Sequence, residues 1–336
     1  MHTTHFIAAL CLPVLFGSLP RAGDDLAFKP EAGSQVTKTY GHKLELSLQE
    51  MHFKYGDQDI PADQMPELKV DIVDEQKLAF TDTYVSLSGG KPKVLERKFD
   101  ALGSSGVEKA SSEDGDQENT SERTSKLEGK TVVFTRGDDD GECEVAFKKD
   151  SGGDKALLAD LVEDTDLRAF LPAKAVADGD TWEIDGKLFN ALFSPGGDLH
   201  LEAKAGEEDH SVDRAELRAN MEGKGKATYK GERDDHGTKL AVIELAFEVQ
   251  SKCDTDEDVG EGVKQHSDYA VELKLEGEFL WNRKLGRAHA LDVHGDAKIK
   301  LAQTTHVDAD EGGGDWIQTM LFSGSASFTA NFEGAQ

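Results

Sequence analysis

The fold is decided by the stretch from Tyr269 to Leu301, which reads YAVELKLEGEFLWNRKLGRAHALDVHGDAKIKL. Its large apolar side chains lie mainly at odd-numbered positions, and the even-numbered positions are mostly charged. Successive side chains of a β-strand leave opposite faces of the sheet, so this period predicts a long antiparallel hairpin with one apolar and one charged face. The residues from Asn282 to Gly286 supply the turn.

The same two-residue period recurs through most of the chain. It shifts by one residue around Gln49 and Glu50, which is typical of a β-bulge. Strands with one apolar and one polar face are typical of antiparallel sheets. We therefore predict a mainly β protein, built of long antiparallel meander sheets that form a curved half-barrel or a sandwich, with a few short helices.

Changes in composition suggest three parts along the chain. Residues 1–22 form a signal peptide, residues 23–205 a β-rich N-terminal region, and residues 206–336 a C-terminal antiparallel sheet region. Within the N-terminal region, residues 101–126 have almost no large apolar side chain and are predicted to be a flexible insertion. Residues 155–193 change from the strand period to the helix period and are predicted to contain short helices.

The leader assignment rests on the apolar run from Phe6 to Gly17, which has the length of a signal-peptide core and is too short to span a bilayer. Cleavage after Ala22 would export the chain to the periplasm, the cell envelope or the extracellular space. A retained N-terminal anchor and lipidation at Cys11 are alternatives. The later sequence has no run of 18 apolar residues, so no transmembrane segment is predicted in the mature chain.

The chain is strongly acidic. Its formal net charge is −28 at pH 7, from 38 basic and 66 acidic residues. Such a charge repels phosphate backbones, so we predict no nucleic-acid partner. It also disfavours attachment to a membrane surface through basic patches.

Two cysteines remain after the leader, Cys143 and Cys253. In an exported chain they are a candidate disulfide. The alternative is two reduced, partly buried thiols, because Cys143 shares the apolar parity of its strand. A catalytic thiol requires a positive environment, whereas Glu142 and Glu144 flank Cys143.

No residue is assigned to catalysis or to a metal, no cofactor is predicted, and ligand-binding residues remain unknown at this stage. The acidic run from Asp254 to Gly260 resembles the start of a calcium loop, but Val259 stands where such a loop needs glycine and Gln265 where it needs glutamate. His289 and His294 have opposite parity in a strand, so they do not form a local ligand pair.

One segment resembles a known group of proteins. The residues from Leu171 to Trp182, LPAKAVADGDTW, are similar to a Leu-Pro, Val-x-x-Gly-Asp-x-Trp segment of uncharacterised exported bacterial proteins, many of them of planctomycete type. The runs Asp82–Val85, Glu96–Asp100 and Asp164–Arg168 also look similar to that group. The resemblance implies export and a β fold, and it implies no activity. At the level of fold there is a looser analogy to periplasmic lipoprotein carriers with curved sheets.

These observations lead to three hypotheses of function. The first is a non-catalytic envelope or periplasmic protein that binds an apolar small molecule, a lipid or an envelope protein partner on its apolar sheet face. The second is a structural or assembly protein whose core is covered by its own chain. The third is a hydrolase, which would need His or carboxylate side chains gathered in a cleft. We predict that the protein is not an enzyme.

Overall fold

A computed structural model describes residues 23–65, 67–113, 115–137, 143–204, 214–260, 263–307 and 314–334. The signal peptide predicted for residues 1–22 lies outside this range. Within it, the chain forms one mainly β structure whose fourteen strands all belong to a single antiparallel sheet. The predicted fold class is confirmed, as one open sheet rather than two stacked sheets.

Long strands account for most of the sheet. The strands are β1 (Gln35–Tyr55), β2 (Gln58–Asp59), β3 (Lys69–Ser88), β4 (Lys91–Ser112), β5 (Gly115–Ser125), β6 (Thr131–Arg136), β7 (Cys143–Phe147), β8 (Thr181–Asp185), β9 (Leu201–Ala203), β10 (Glu222–Asp235), β11 (Thr238–Gly260), β12 (Val263–Asn282), β13 (Arg287–Val307) and β14 (Asp315–Gly334).

The helical elements are all short. The α-helices are α1 (Asn190–Phe193) and α2 (Arg214–Ala219), and the 3₁₀ turns are Ala62–Gln64, Lys155–Leu158, Arg168–Phe170 and Gly186–Phe189. Short helices were predicted within residues 155–193, whereas α2 was not predicted. None of the helices in the described residues is long and apolar enough to cross a membrane.

The order of the main strands across the sheet is β7-β6-β4-β3-β1-β14-β13-β12-β11-β10-β8. Strands β3 to β7 therefore lie on one side of β1, and β8 and β10 to β13 lie on the far side of β14. Within the main order, the two halves meet only where β1 pairs with β14. The predicted N-terminal and C-terminal regions share this one sheet and one hydrophobic core.

The predicted hairpin is confirmed in β12 and β13. Leu275 lies opposite Gly295 and Phe279 opposite Leu291, so the apolar side chains of both strands share one face. We call this the inner face. The predicted bulge in β1 is also present, as a register shift between Leu48 and Glu50.

The structure corrects the prediction of a flexible insertion at residues 101–126. Most of this segment belongs to β4 and β5, which pair from Gly103 and Thr124 to Ser112 and Gly115. Backbone hydrogen bonds form this ladder, and they do not require apolar side chains. A hairpin exposed on both faces has the polar composition of a loop, so its sequence did not reveal it.

The run from Asp74 to Lys77 has the polar composition that predicts a turn between two strands, and the structure corrects this prediction as well, because the run lies inside β3. This strand runs unbroken from Lys69 to Ser88. The even positions face inward throughout, and Gln76 at one of them is buried. Polar residues in the middle of a strand have the same composition as a turn, so the sequence pattern did not distinguish the two.

The inner face is covered in its middle by residues 154–180 and 186–200, which flank the edge strand β8 and which we call the cover segment. Two of its aromatic side chains fill the centre of the core. Phe170 packs on Phe247 and Phe279, with ring centroids 5.6 and 6.4 Å apart, and Phe189 packs on Phe247 and Phe328 at 5.3 and 5.0 Å. The large apolar face is therefore covered mainly by the chain itself.

Close contact between neighbouring strands requires glycine at several places in the sheet, among them Gly295 and Gly324. A methyl group added to Gly295 would collide with the carbonyl group of Lys274 on β12, and one added to Gly324 would collide with that of Glu45 on β1. Glycines at such positions permit a sheet to bend sharply.

Replacing Phe279 with alanine should destabilise the fold by about 3–5 kcal/mol, because the ring is fully buried between Phe170 and Trp281 and its removal leaves a cavity. Urea denaturation would measure the loss. The control is Glu278→Ala on the same strand, which should change stability by less than about 1 kcal/mol because the Glu278–Arg233 ion pair is exposed. Equal effects would contradict the assignment of Phe279 to the core.

Candidate functional site

Three charged side chains lie at inward positions of three neighbouring strands. They are Lys38 on β1, Asp82 on β3 and Arg97 on β4, and all three are fully buried. Asp82 and Arg97 stand directly opposite each other in the sheet. These residues were not singled out from the sequence as a site, although each occupies a position at which the two-residue period calls for an apolar side chain.

Asp82 is the centre of this cluster. Arg97 donates two hydrogen bonds to its carboxylate, from Nε to Oδ1 at 2.8 Å and from Nη2 to Oδ2 at 2.9 Å. The Nζ of Lys38 donates to the same Oδ2 at 2.7 Å. The two hydrogen bonds from the guanidinium fix the orientation of the carboxylate. The two cations also stabilise its negative charge.

The cover segment completes the cluster. Lys38 also contacts Oδ1 of Asp166 at 2.7 Å, and Oγ1 of Thr165 accepts hydrogen bonds from Lys38 and Arg97. Arg97 further donates to the carbonyl groups of Val162 and Glu163, at 2.8 and 2.7 Å. The cluster therefore connects the N-terminal half of the sheet to residues 162–166.

Two more arginines complete the balance of charge. Arg136 and Arg168 donate to the same oxygen of Glu163, at 2.8 and 2.7 Å, and Arg168 also contacts Asp164 at 3.0 Å. The hydroxyl groups of two tyrosines donate hydrogen bonds to the cover segment, Tyr40 to the carbonyl of Thr165 and Tyr84 to the carboxylate of Asp166. Four cations thus face four carboxylates: Lys38, Arg97, Arg136 and Arg168 against Asp82, Glu163, Asp164 and Asp166.

The electrostatics follow from this arrangement. Burial by itself would raise the pKa of Asp82, but the Arg97 and Lys38 cations and their hydrogen bonds hold that pKa well below its usual range. Burial by itself would lower the pKa of the Arg97 guanidinium. The negative charge of Asp82 and its hydrogen bonds outweigh burial, so this pKa is raised. Burial and then the charge of Asp166 raise the pKa values of Tyr40 and Tyr84 well above normal, so both phenols stay neutral.

The cluster has a structural role, which is to hold the cover segment on the sheet. Its central side chains have no exposed surface through which a substrate could reach them. A buried charge whose partner is missing is costly, so the cover segment has one strongly preferred position, with Thr165 and Asp166 against Lys38 and Arg97. The cluster fixes the cover over the core.

A second feature lies at the end of the inner face, beyond the cover segment. Across the four neighbouring strands β12, β13, β14 and β1, seven apolar side chains stand in two rows and remain partly exposed. We call them the apolar band. Its residues are Leu48, Met51, Tyr269, Val271, Ile299, Leu301 and Met320.

The register of the sheet sets the order within the band. Tyr269 pairs with Leu301, Leu301 with Met320, and Met320 with Met51, so these four side chains form one row. Neighbouring strands are about 4.8 Å apart, which makes the row roughly 15–20 Å long. The band is therefore narrow and elongated.

The helix α2 borders the band on the side of β11. Leu217 of α2 is buried, and its carbonyl group accepts a hydrogen bond of 2.6 Å from Ser251 on β11. A crevice of about 10 Å³ lies between Leu217, Phe193 and Val271. This volume is room for no more than a single water molecule, so the crevice cannot hold a ligand.

A larger groove, of about 1260 Å³, lies across β8 and β10 to β13. Its lining includes many charged side chains, and one pair of them, Lys224 and Glu248, is 2.9 Å apart. Charged walls of both signs do not suit an apolar ligand. The groove is a poor candidate for the predicted binding site.

The two cysteines considered from the sequence lie beside these features. Cys143 pairs with Arg136 of the charge cluster, and Cys253 pairs with Tyr269 of the apolar band. No bond joins Cys143 on β7 to Cys253 on β11, so the candidate disulfide is not formed. Burial raises the pKa of the Cys143 thiol. Asp254 and His294 lie on β11 and β13, and no group of three or more His, Cys, Asp or Glu residues in the described part of the chain is placed to hold a metal ion.

Replacing Arg97 with methionine should destabilise the protein by about 3–5 kcal/mol, because the buried carboxylate of Asp82 loses its main partner. The matched control is Lys148→Met, which breaks the partly exposed ion pair with Glu96, the neighbour of Arg97 on β4. That change should cost less than about 1 kcal/mol. Chemical denaturation would measure both, and equal losses would refute a special role for the buried cluster.

The stabilisation from Asp82 should decline in acid. Its folded-state pKa lies below the unfolded value of about 3.9, so its contribution is complete above pH of about 4 and falls as pH decreases towards the folded-state pKa. The difference in unfolding free energy between the native chain and Asp82→Asn, measured at a series of pH values, should therefore shrink below pH of about 4. A difference that stays constant down to the lowest pH at which both proteins fold would contradict the depressed pKa.

Comparison with known proteins identifies no family. No protein-family model matches the chain, and no curated protein matches its sequence. The resemblance to exported bacterial proteins therefore stays a prediction.

Three solved structures show a distant likeness. An outer membrane channel from Pseudomonas putida F1 matches with a TM-score of 0.19 and 8% identity, over 91% of this chain and 98% of the other. OccK7 (OpdD) from Pseudomonas aeruginosa matches with a TM-score of 0.14 and 7% identity, over 90% and 99%. The transport unit of the autotransporter AIDA-I from Escherichia coli has a TM-score of 0.15 and 9% identity, over 86% and 89%. At such TM-scores the likeness carries no information on function.

Proposed function

We propose that this protein is an exported, non-catalytic binding protein of the cell envelope that receives the apolar chain of a lipid-like ligand on the apolar band. The observation that carries the proposal is the band itself, two rows of partly exposed apolar side chains on four neighbouring strands. The apolar leader at residues 6–17 supports export.

The dimensions of the band favour a chain-like ligand over a protein partner. Seven side chains in two rows form a narrow strip, whereas a stable protein interface uses roughly 20–30 residues on each side. A row of roughly 15–20 Å accommodates an extended acyl chain lying across the strands. Exposed apolar surface of this kind marks a site of interaction.

The composition of the band also suits a ligand of variable shape. Met51 and Met320 are paired across β1 and β14 at one end of the band. Methionine side chains are flexible and polarisable, and they adapt to ligands of different shape. The fixed cover segment and the adaptable band therefore have separate tasks, one to hold the fold and the other to bind.

A structural or assembly role is the second candidate. It is favoured by the buried core and by the charge cluster that fixes the cover segment, since both serve stability alone. In that case the band would be a minor surface feature, and the protein would bind no apolar ligand.

The test is native mass spectrometry, with organic extraction, of the protein purified from the envelope of an expressing bacterium. We expect a bound mass of lipid size on the native chain. Met320→Glu should reduce occupancy about tenfold or more, because it places an unpaired charge in the band. The matched control is Thr319→Glu, on the opposite face of the same strand, which should retain the ligand.

Thermal melting of the variants establishes that both remain folded, and Ile299→Thr provides a milder change in the band if Met320→Glu does not fold. A native chain that carries no extra mass and takes up no added lipid would overturn the proposal. So would equal occupancy in the band variants and in Thr319→Glu.

A further inference from the structure

The inner face changes in polarity beyond the apolar band, towards the ends of the same four strands. The next row consists of Ser267 on β12, Gln303 on β13, Gln318 on β14 and Phe53 on β1. Three of its four side chains are uncharged hydrogen-bonding groups. They lie one step along the strands from the apolar row that contains Met320.

The glutamine amides of this row have only long side-chain contacts in the structure. Nε2 of Gln303 lies 3.5 Å from the hydroxyl of Ser267, and Nε2 of Gln318 lies 3.8 Å from the sulfur of Met51. An amide nitrogen carries two protons, and its carbonyl oxygen accepts as well. Both side chains are partly exposed, so they can meet a polar group of a ligand that lies on the band.

The row after that carries Gln265, Thr305, Trp316 and Tyr55, and the pair of Val263 and Val307 follows it on β12 and β13. The rings of Tyr55 and Trp316 pack together with centroids 4.8 Å apart, and both side chains are largely exposed. Tryptophan and tyrosine suit a boundary between apolar and aqueous surroundings, because each has an apolar ring and a polar atom. The order of these rows outward from the core is thus apolar, then hydrogen-bonding, then aromatic and hydroxyl.

Charge is missing from these rows of β12, β13, β14 and β1, in a chain of which 31% of the residues are charged. The nearest ionisable inner-face residue in the adjoining described strand is Glu257 on β11, opposite Gln265. A carboxylate on the ligand would meet no cation here, and Glu257 lies two strands away from Gln303. An ammonium group would have to leave water for a surface with no carboxylate close to the glutamines.

We infer that the ligand of the apolar band carries an uncharged hydrogen-bonding group, an ester or an amide, next to its apolar chain, and that Gln303 and Gln318 bind this group. The inference rests on the proposed function, and it specifies the chemical class of the ligand. The chain lies on the band, the ester or amide carbonyl accepts hydrogen bonds from the two glutamines, and the Tyr55–Trp316 pair contacts the part of the ligand that reaches water.

Three amphiphiles with the same acyl or alkyl length test this selectivity: monodecanoylglycerol, decanoate and decylamine. Titration of each into the purified full chain, below its aggregation concentration and at pH 8, measures its affinity by calorimetry. Tryptophan fluorescence provides a second readout, because Trp316 lies beside the site. We expect the glycerol ester to bind at least about tenfold more tightly than either charged amphiphile.

Gln318→Leu and Gln303→Leu should each reduce this preference severalfold, mainly by weakening binding of the ester, because the hydrogen bond is lost and the apolar contact remains. Thr319→Val, on the outer face of β14, is the matched control and should leave the preference unchanged. Melting temperatures near that of the native chain would show that the glutamine variants are folded.

The outcomes separate the inference from the function on which it rests. If decanoate or decylamine binds as tightly as the ester, or if the glutamine variants keep the full preference, the inference is wrong while the apolar band remains a binding site. If none of the three amphiphiles binds, the proposed function itself is wrong.

Discussion

The constraint on which this structure depends is the need to cover one face of a very wide sheet. Alternating apolar and charged residues give nearly every long strand an apolar side, and a single sheet gathers these sides into one continuous surface. Exposure of such a surface to water is strongly unfavourable. The cover segment buries the middle of it, and the strands extend further than that segment does. The apolar band is the part of the surface that lies beyond the cover.

The buried charge cluster solves a different problem, that of fixing where the cover lies. Apolar contacts such as those of Phe170 and Phe189 are strong but have little directional preference. Hydrogen bonds from Lys38 and Arg97 to Asp82, Thr165 and neighbouring carbonyl groups do have direction. The aromatic contacts bury apolar surface, and the hydrogen bonds of the charged residues favour one position of the cover segment on the sheet.

The two-residue period made the sheet and the inner face predictable, because strand geometry alone relates position to face. The period failed where side chains were uniformly polar, as in β5, or where a polar residue such as Gln76 interrupted an apolar series. A signal for the charge cluster was present, since Lys38, Asp82 and Arg97 break the apolar parity of strands that are otherwise regular. Their mutual contacts depend on which strands are neighbours, and the sequence does not specify that pairing. The apolar band was not predictable, because its exposure depends on how far the cover segment reaches.

The pairing of β1 with β14 has a consequence for how this protein forms. The two halves of the main sheet are joined along a single ladder between the first strand and the last described strand, about 300 residues apart in sequence. Each half can begin to assemble by local hairpins, but the inner face is continuous only when that ladder has closed. A chain emerging in order from its N-terminus therefore keeps β1 without its C-terminal neighbour until β14 arrives. Late completion of this kind is compatible with a protein that crosses a membrane unfolded and acquires its final shape on the other side.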